Sequence, residues 1–119
     1  MVSRGTDKER AEIIRIWEAQ EKELGELIAD DIFQYLSDDV LEIKRVQYLS
    51  EYVPGKGGSQ WVVEKYILVT GTGGPHVEFD TNHRISVFWG GDSWEESTTD
   101  SAAVKVINEI ARVLDESFP

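Results

Sequence analysis

Two histidines set among carboxylates form the arrangement in this sequence with the most chemical promise. His76, Glu78 and Asp80 occupy alternate positions, and His83 follows three residues later. If residues 76–80 form a strand, the first three share a face, and imidazole with carboxylate oxygens is a donor set suited to a divalent ion. The spacing works against closure of such a site. Side chains at i, i+2 and i+4 of one strand spread over about 13 Å, so a neighbouring strand has to complete the shell. These four residues define a metal-dependent or ligand-binding alternative; as a solvated polar face they need no ion.

Other constellations carry less chemistry. Gly71-Thr72-Gly73-Gly74 has the look of a phosphate loop, but such loops need a helix N-terminus behind them, or the lysine and hydroxyl of a P-loop. Here Pro75 and an alternating run follow, so a turn that uses positive φ is the expectation. No Ser/His/Asp spacing or nucleophile elbow is present. The chain has no cysteine, which excludes disulfides, thiolate metal sites and cysteine nucleophiles. Asp30-Asp31, Asp38-Asp39 and Glu95-Glu96 are adjacent pairs that split across the faces of a helix or strand, as surface charge does. No catalytic residue is assigned and no cofactor is expected.

Trp94 differs, because it follows Gly90-Gly91-Asp92-Ser93, where no strand periodicity demands it in a core. Tryptophans of this kind serve as interface anchors or as satellite core packing. Flanking Glu95 and Glu96 suit a basic partner, and Phe88, on an otherwise polar strand face, adds to the first reading. Phe88, Asp92, Trp94, Glu95 and Glu96 are the candidate partner-binding residues.

The elements that must position these groups follow from periodicity. Residues from Thr6 to about Gln20 read as a helix, with Thr6 and Glu9 at capping-box spacing. Ile13, Ile16, Trp17, Leu24, Leu27 and Ile28 lie on one stripe. Gly25 interrupts it, and a second helix or bent continuation runs from Glu26 to about Leu36, carrying Leu27, Ile28, Ile32, Phe33 and Leu36. The period changes to two over Val40 to Val53. Pro54-Gly55-Lys56-Gly57-Gly58-Ser59 is a loop of hairpin type, and Gln60 to Thr70, with few polar residues on either side, an interior strand partly covered on both faces. Keeping apolar sets together fixes the next register. A three-residue loop, Thr81-Asn82-His83, pairs Phe79 with Ile85, Val77 with Val87 and Asp80 with Arg84 as a charge pair. Asn82 or His83 then takes the left-handed conformation, which Asn tolerates better. Ser97 to Ser101 supplies caps for a final helix with Val104, Ile107, Ala111, Leu114 and Phe118 as its stripe, broadened by Ile110. This order predicts a single α+β domain over residues 1–119, an antiparallel meander of about four strands flanked by N-terminal helices and a C-terminal helix.

Composition bounds the partners. Of 119 residues 40% are hydrophobic, against expected disorder, and 23 acidic against 12 basic side chains give a net charge of −11. That balance opposes direct nucleic-acid binding and attracts basic surfaces, including proteins that themselves handle nucleic acid; adaptation to a salty or hot habitat produces the same acidity. No apolar run reaches the roughly 18 residues of a membrane span, and Met1 to Gly5 leads into charges, so a cytoplasmic or host-cell location is expected and no membrane partner. A homo-oligomer closing an apolar strand surface by symmetry is a further expectation.

The segment Tyr66-Ile67-Leu68-Val69-Thr70-Gly71-Thr72-Gly73-Gly74-Pro75-His76-Val77, followed by Trp89 and Trp94-Glu95-Glu96, resembles a class of small uncharacterised proteins from bacteriophages and other mobile elements. Leu27 to Asp31 and the strand entering Pro54-Gly55 are similar too, so the likeness spans residues 27–98. It carries no catalytic residue over. It implies provenance, and with it an acidic non-enzymatic binder that engages a host-defence or nucleic-acid-processing protein, perturbing it as an inhibitor would.

Overall fold

Five antiparallel strands in plain chain order, backed by helices, make up the residues that a computed structural model describes, 7–50 and 60–117. The α+β meander expected from the sequence is present, with five strands in place of about four. Helix α1 spans Asp7–Glu26; a single 3₁₀ turn, Ala29–Asp31, leads into the short α2, Ile32–Asp38. Strands β1 (Glu42–Ser50), β2 (Gln60–Gly71), β3 (His76–Asp80), β4 (Arg84–Trp89) and β5 (Asp92–Ser97) precede α3, Ser101–Ser117. Thr6, the loop at residues 54–59 and Phe118 lie outside the described residues, and with them the capping box, the loop type and the last position of the helical stripe.

Helix α1 buries Ile13, Trp17, Gln20 and Leu24, which recur at steps of four, three and four and so line one face. Polar atoms on that face are matched. Trp17 Nε1 donates to the Ile85 carbonyl at 2.8 Å. Thr70 Oγ1 donates to Gln20 Oε1 at 2.7 Å, and Gln20 Nε2 donates to the Tyr35 hydroxyl at 3.3 Å. A buried amide thereby links α1, α2 and β2 without an orphaned group. Ile28 falls off the expected stripe because α1 stops at Glu26 and the Leu27 amide turns back to the Leu24 carbonyl.

Helix α3 starts where the Asp100 carboxylate accepts from the Ala103 amide at 3.0 Å, a side-chain cap for one of the unsatisfied amides of the first turn. Its buried face is Ala103, Val106, Ile107, Ile110, Val113 and Leu114. The expected stripe is therefore rotated: Ile107, Ile110 and Leu114 are core, whereas Val104 and Ala111 sit half-buried at its margin. Gly25 explains the close approach of α1. A Cβ there would lie 3.1 Å from Asp100 Oδ2, the same carboxylate that caps α3.

Helix-side residues of the sheet, among them Tyr66, Leu68, Val77, Phe79, Ile85 and Val87, complete the core. The β3–β4 hairpin has the predicted register, Val77 opposite Val87 and Phe79 opposite Ile85. Two details differ. His83, not Asn82, takes the left-handed conformation (φ 73°); its ring is held by Asn108 of α3 at 2.7 Å, while the Asn82 amide donates to Asp80 Oδ1. Asp80 also accepts from the Arg84 amide, and its charge partner is Lys65 at 3.4 Å rather than the Arg84 guanidinium. A carboxylate occupied by the turn's amides reaches the adjacent strand β2 more readily than the side chain beyond the loop.

The fifth strand exists because Gly90 and Gly91 both have positive φ (61° and 86°). That is the backbone of a two-residue hairpin turn whose twist matches its strands, and it sets Trp89 opposite Asp92 and Val87 opposite Trp94.

Strands β1 and β2 outrun the others. β3 pairs only with residues 67–71 of β2, so Gln60–Tyr66 and their β1 partners form a two-stranded ribbon about 20 Å long. A register irregularity between Val46 and Gln47 keeps Ile43 opposite Leu68 and sets Gln47 opposite Val63 and Leu49 opposite Trp61, all on the helix side. The ribbon accounts for a radius of gyration of 16.5 Å, above the roughly 13.5 Å of a compact domain this long. The interior strand predicted over Gln60–Thr70 is interior in order, but its first half is uncovered, with Trp61 66% exposed.

Candidate functional site

The histidine and carboxylate set is dispersed by the fold. His76 Nε2 lies 3.0 Å from Glu78 Oε2, and the His76 ring packs on Phe88 at 5.8 Å between centroids. Asp80 is committed to its turn and to Lys65, and His83 to α3. Among the described residues no group of three or more His, Asp or Glu side chains is placed to hold a metal ion. Gly71 to Pro75 joins β2 to β3 with Gly73 at φ 86° and no helix behind it.

The five residues proposed for partner binding fall on two faces of β4 and β5. Phe88 and Glu95 lie on the face away from the helices; Asp92, Trp94 and Glu96 lie on the helix side. Asp92 is only 5% exposed. Its Oδ1 accepts from Arg10 Nη2 at 3.2 Å and from the Ser93 amide at 2.8 Å, so the carboxylate ties α1 to β5. Arg10 also stands 5.9 Å from the Trp94 ring centroid, a cation–π contact, and Trp94 Nε1 donates to Glu96 at 3.2 Å. Trp94 packs half-buried against the core. Only Glu95 and Glu96 of this set are exposed.

A second surface emerges at the corner between α1 and α2. Residues 7–39 contain eleven acidic and four basic side chains, a net −7 of the chain's −11. Asp30, Asp31, Asp38 and Asp39 are exposed there, together with two large apolar side chains, Phe33 at 68% and Ile28 at 59%. Leu27, Ile28, Ala29 and Ile32 line a shallow apolar groove facing Ala102 and Val106 of α3. Like charge adds to the effect of burial here. Glu23 has its pKa raised by partial burial and then by the neighbouring Asp39 carboxylate. Tyr35 is raised mainly by burial, with Glu23 and Asp39 adding to it against the opposing hydrogen bond from Gln20.

The sequence hid this corner because Ile28 and Phe33 fit the helical stripe of apolar residues. Gly25 signals the helix end that frees Ile28; Phe33 carries no such signal. No described helix is long and apolar enough to cross a membrane. Compared with known proteins, the chain matches no family model, no curated sequence and no solved structure.

Proposed function

We propose that this protein is an acidic, non-enzymatic binding module that engages a basic surface of a partner protein through the α1–α2 corner. The observation that carries this reading is the exposure of Phe33 and Ile28 inside the most acidic segment of the chain. Exposed apolar side chains beside a groove supply desolvation energy. The surrounding carboxylates steer a cationic partner and select against acidic ones. Trp94, drawn into contacts with Arg10 and Glu96, is a positioning side chain of β5 rather than the principal anchor, and Glu95 and Glu96 form a secondary acidic rim. The resemblance to phage and mobile-element proteins adds the class of partner, a host-defence or nucleic-acid-processing protein with a cationic surface, and a host-cell setting.

Zero-length carbodiimide coupling in a lysate of the source cells tests the location. Partner lysines should couple to Asp30, Asp31, Asp38 or Asp39, and added salt should suppress the products, because exposed charges are screened beyond about 10 Å at 0.1 M. Products joined only through β5, or none at all, would overturn the assignment.

A further inference from the structure

The outer side of β1 pairs with no strand among the described residues, and its nine residues carry Tyr48 and Leu49 about half exposed, with Trp61 opposite Leu49 on β2. An open strand edge of this length that exposes apolar side chains invites another strand. We infer that the occupant is β1 of a second copy, added antiparallel about a two-fold axis at Val46 to give a continuous ten-stranded sheet. This inference stands independently of the acidic-corner reading.

The register follows from charge together with the number of residues paired. A two-fold perpendicular to the sheet keeps the helices of both copies on one side and pairs residues of the same face. Centred at Lys44 or Arg45, it opposes two like cations at the axis, which destabilises a cross-strand pair. Centred at Val46, all nine residues of Glu42–Ser50 find partners and no like charges meet. Ile43 then faces Leu49 of the second copy on the helix side, beside Trp61. Lys44 faces Tyr48 of the second copy on the other side, a cation–π geometry. Arg45 faces Gln47, and Glu42 faces Ser50. Every exposed apolar residue of β1 within the strand gains an apolar or cationic neighbour.

The opposite edge behaves differently. Same-side registers pairing five residues of β5 oppose Asp92 to Glu96, or Glu95 to itself. Acid thus guards one edge of the sheet against self-pairing, while the other is self-complementary. With −11 on each copy, the remainder of the two molecules repels, so association should strengthen as salt rises.

Cysteine scanning tests the register, because the native chain contains none. Full-length Val46→Cys should form a covalent dimer under mild oxidation by glutathione disulfide, since directly opposed Cα atoms lie within disulfide reach. Lys44→Cys or Tyr48→Cys alone should cross-link at least tenfold more slowly, their own copies lying about 13 Å apart. Mixed together, those two variants should cross-link with each other. The unmodified chain should sediment at twice its 13.5 kDa mass. Val46→Glu, which faces Lys65 within the chain and so keeps the ribbon paired, should sediment as a monomer with an unchanged far-ultraviolet spectrum. A monomeric parent chain, a Val46→Glu variant that stays dimeric, or faster cross-linking at Lys44 than at Val46 would overturn the inference.

Discussion

Asp92 is a carboxylate that the sequence offers to a partner and the fold commits to Arg10. Its burial makes the guanidinium on α1 necessary, because a desolvated carboxylate without a donor loses its hydration with nothing in return. Arg10→Ala should destabilise the protein by about 1–3 kcal/mol, the range for a buried polar group left short of a partner. Adding Asp92→Asn should recover part of that loss, which a double-mutant cycle in urea would measure. Glu23 behaves in the opposite sense. Its pKa is raised above the ordinary 4.5 by partial burial and by Asp39. The folded protein therefore holds this proton more tightly than the unfolded chain does, and stability falls as pH rises from about 4.5 through the folded value. Glu23→Gln should be more stable than the parent at neutral pH, and the two should converge in acid; equal melting temperatures at pH 7 would refute the assigned cause. A basic partner seated at this corner should lower the Glu23 pKa and release a proton on binding near that pKa.

Elements were legible where periodicity and turn chemistry agreed. The β3–β4 register and its three-residue loop both follow from keeping Val77, Phe79, Ile85 and Val87 on one face. β5 escaped because its strand, Asp92–Ser97, has one apolar side chain, Trp94, in six residues. Its real signal was Gly90-Gly91, a hairpin turn that reads equally as an unstructured exit. The face of α3 is turned: Ala103, Val106 and Val113 join Ile107, Ile110 and Leu114 in the core, and Val104 lies at the margin. Gly25 and Asp100 show two elements sharing one device. Asp100→Ala should cost about 1 kcal/mol through loss of the cap. Alanine at position 25 should gain up to about 1 kcal/mol in helix propensity, but its Cβ presses on the capping carboxylate at 3.1 Å. Gly25→Ala should therefore stabilise the Asp100→Ala background more than the parent, a non-additivity readable in thermal melts.

At the scale of the whole molecule, charge and apolar exposure are segregated. The α1–α2 segment concentrates the acid, the β1 edge is self-complementary, and the β5 edge is guarded by carboxylates. Composition revealed how much acid the chain carries; the fold shows that Asp30, Asp31, Asp38 and Asp39 are exposed on the same short segment as the uncovered Phe33 and Ile28. Trp94 stands out in the sequence because it falls outside any period, whereas Ile28 and Phe33 fit a helical period and are exposed nonetheless. The most direct test is a side-by-side capture from source-cell lysate with the parent chain, the corner variant Phe33→Ala/Asp30→Lys/Asp31→Lys, and the β5 variant Glu95→Lys/Glu96→Lys. Each substitution is at an exposed position, so circular dichroism should report the same fold for all three. Binding through the corner predicts that the parent and the β5 variant retain the same basic protein and that the corner variant loses at least tenfold of it. Undiminished capture by the corner variant, or loss confined to the β5 variant, would contradict it.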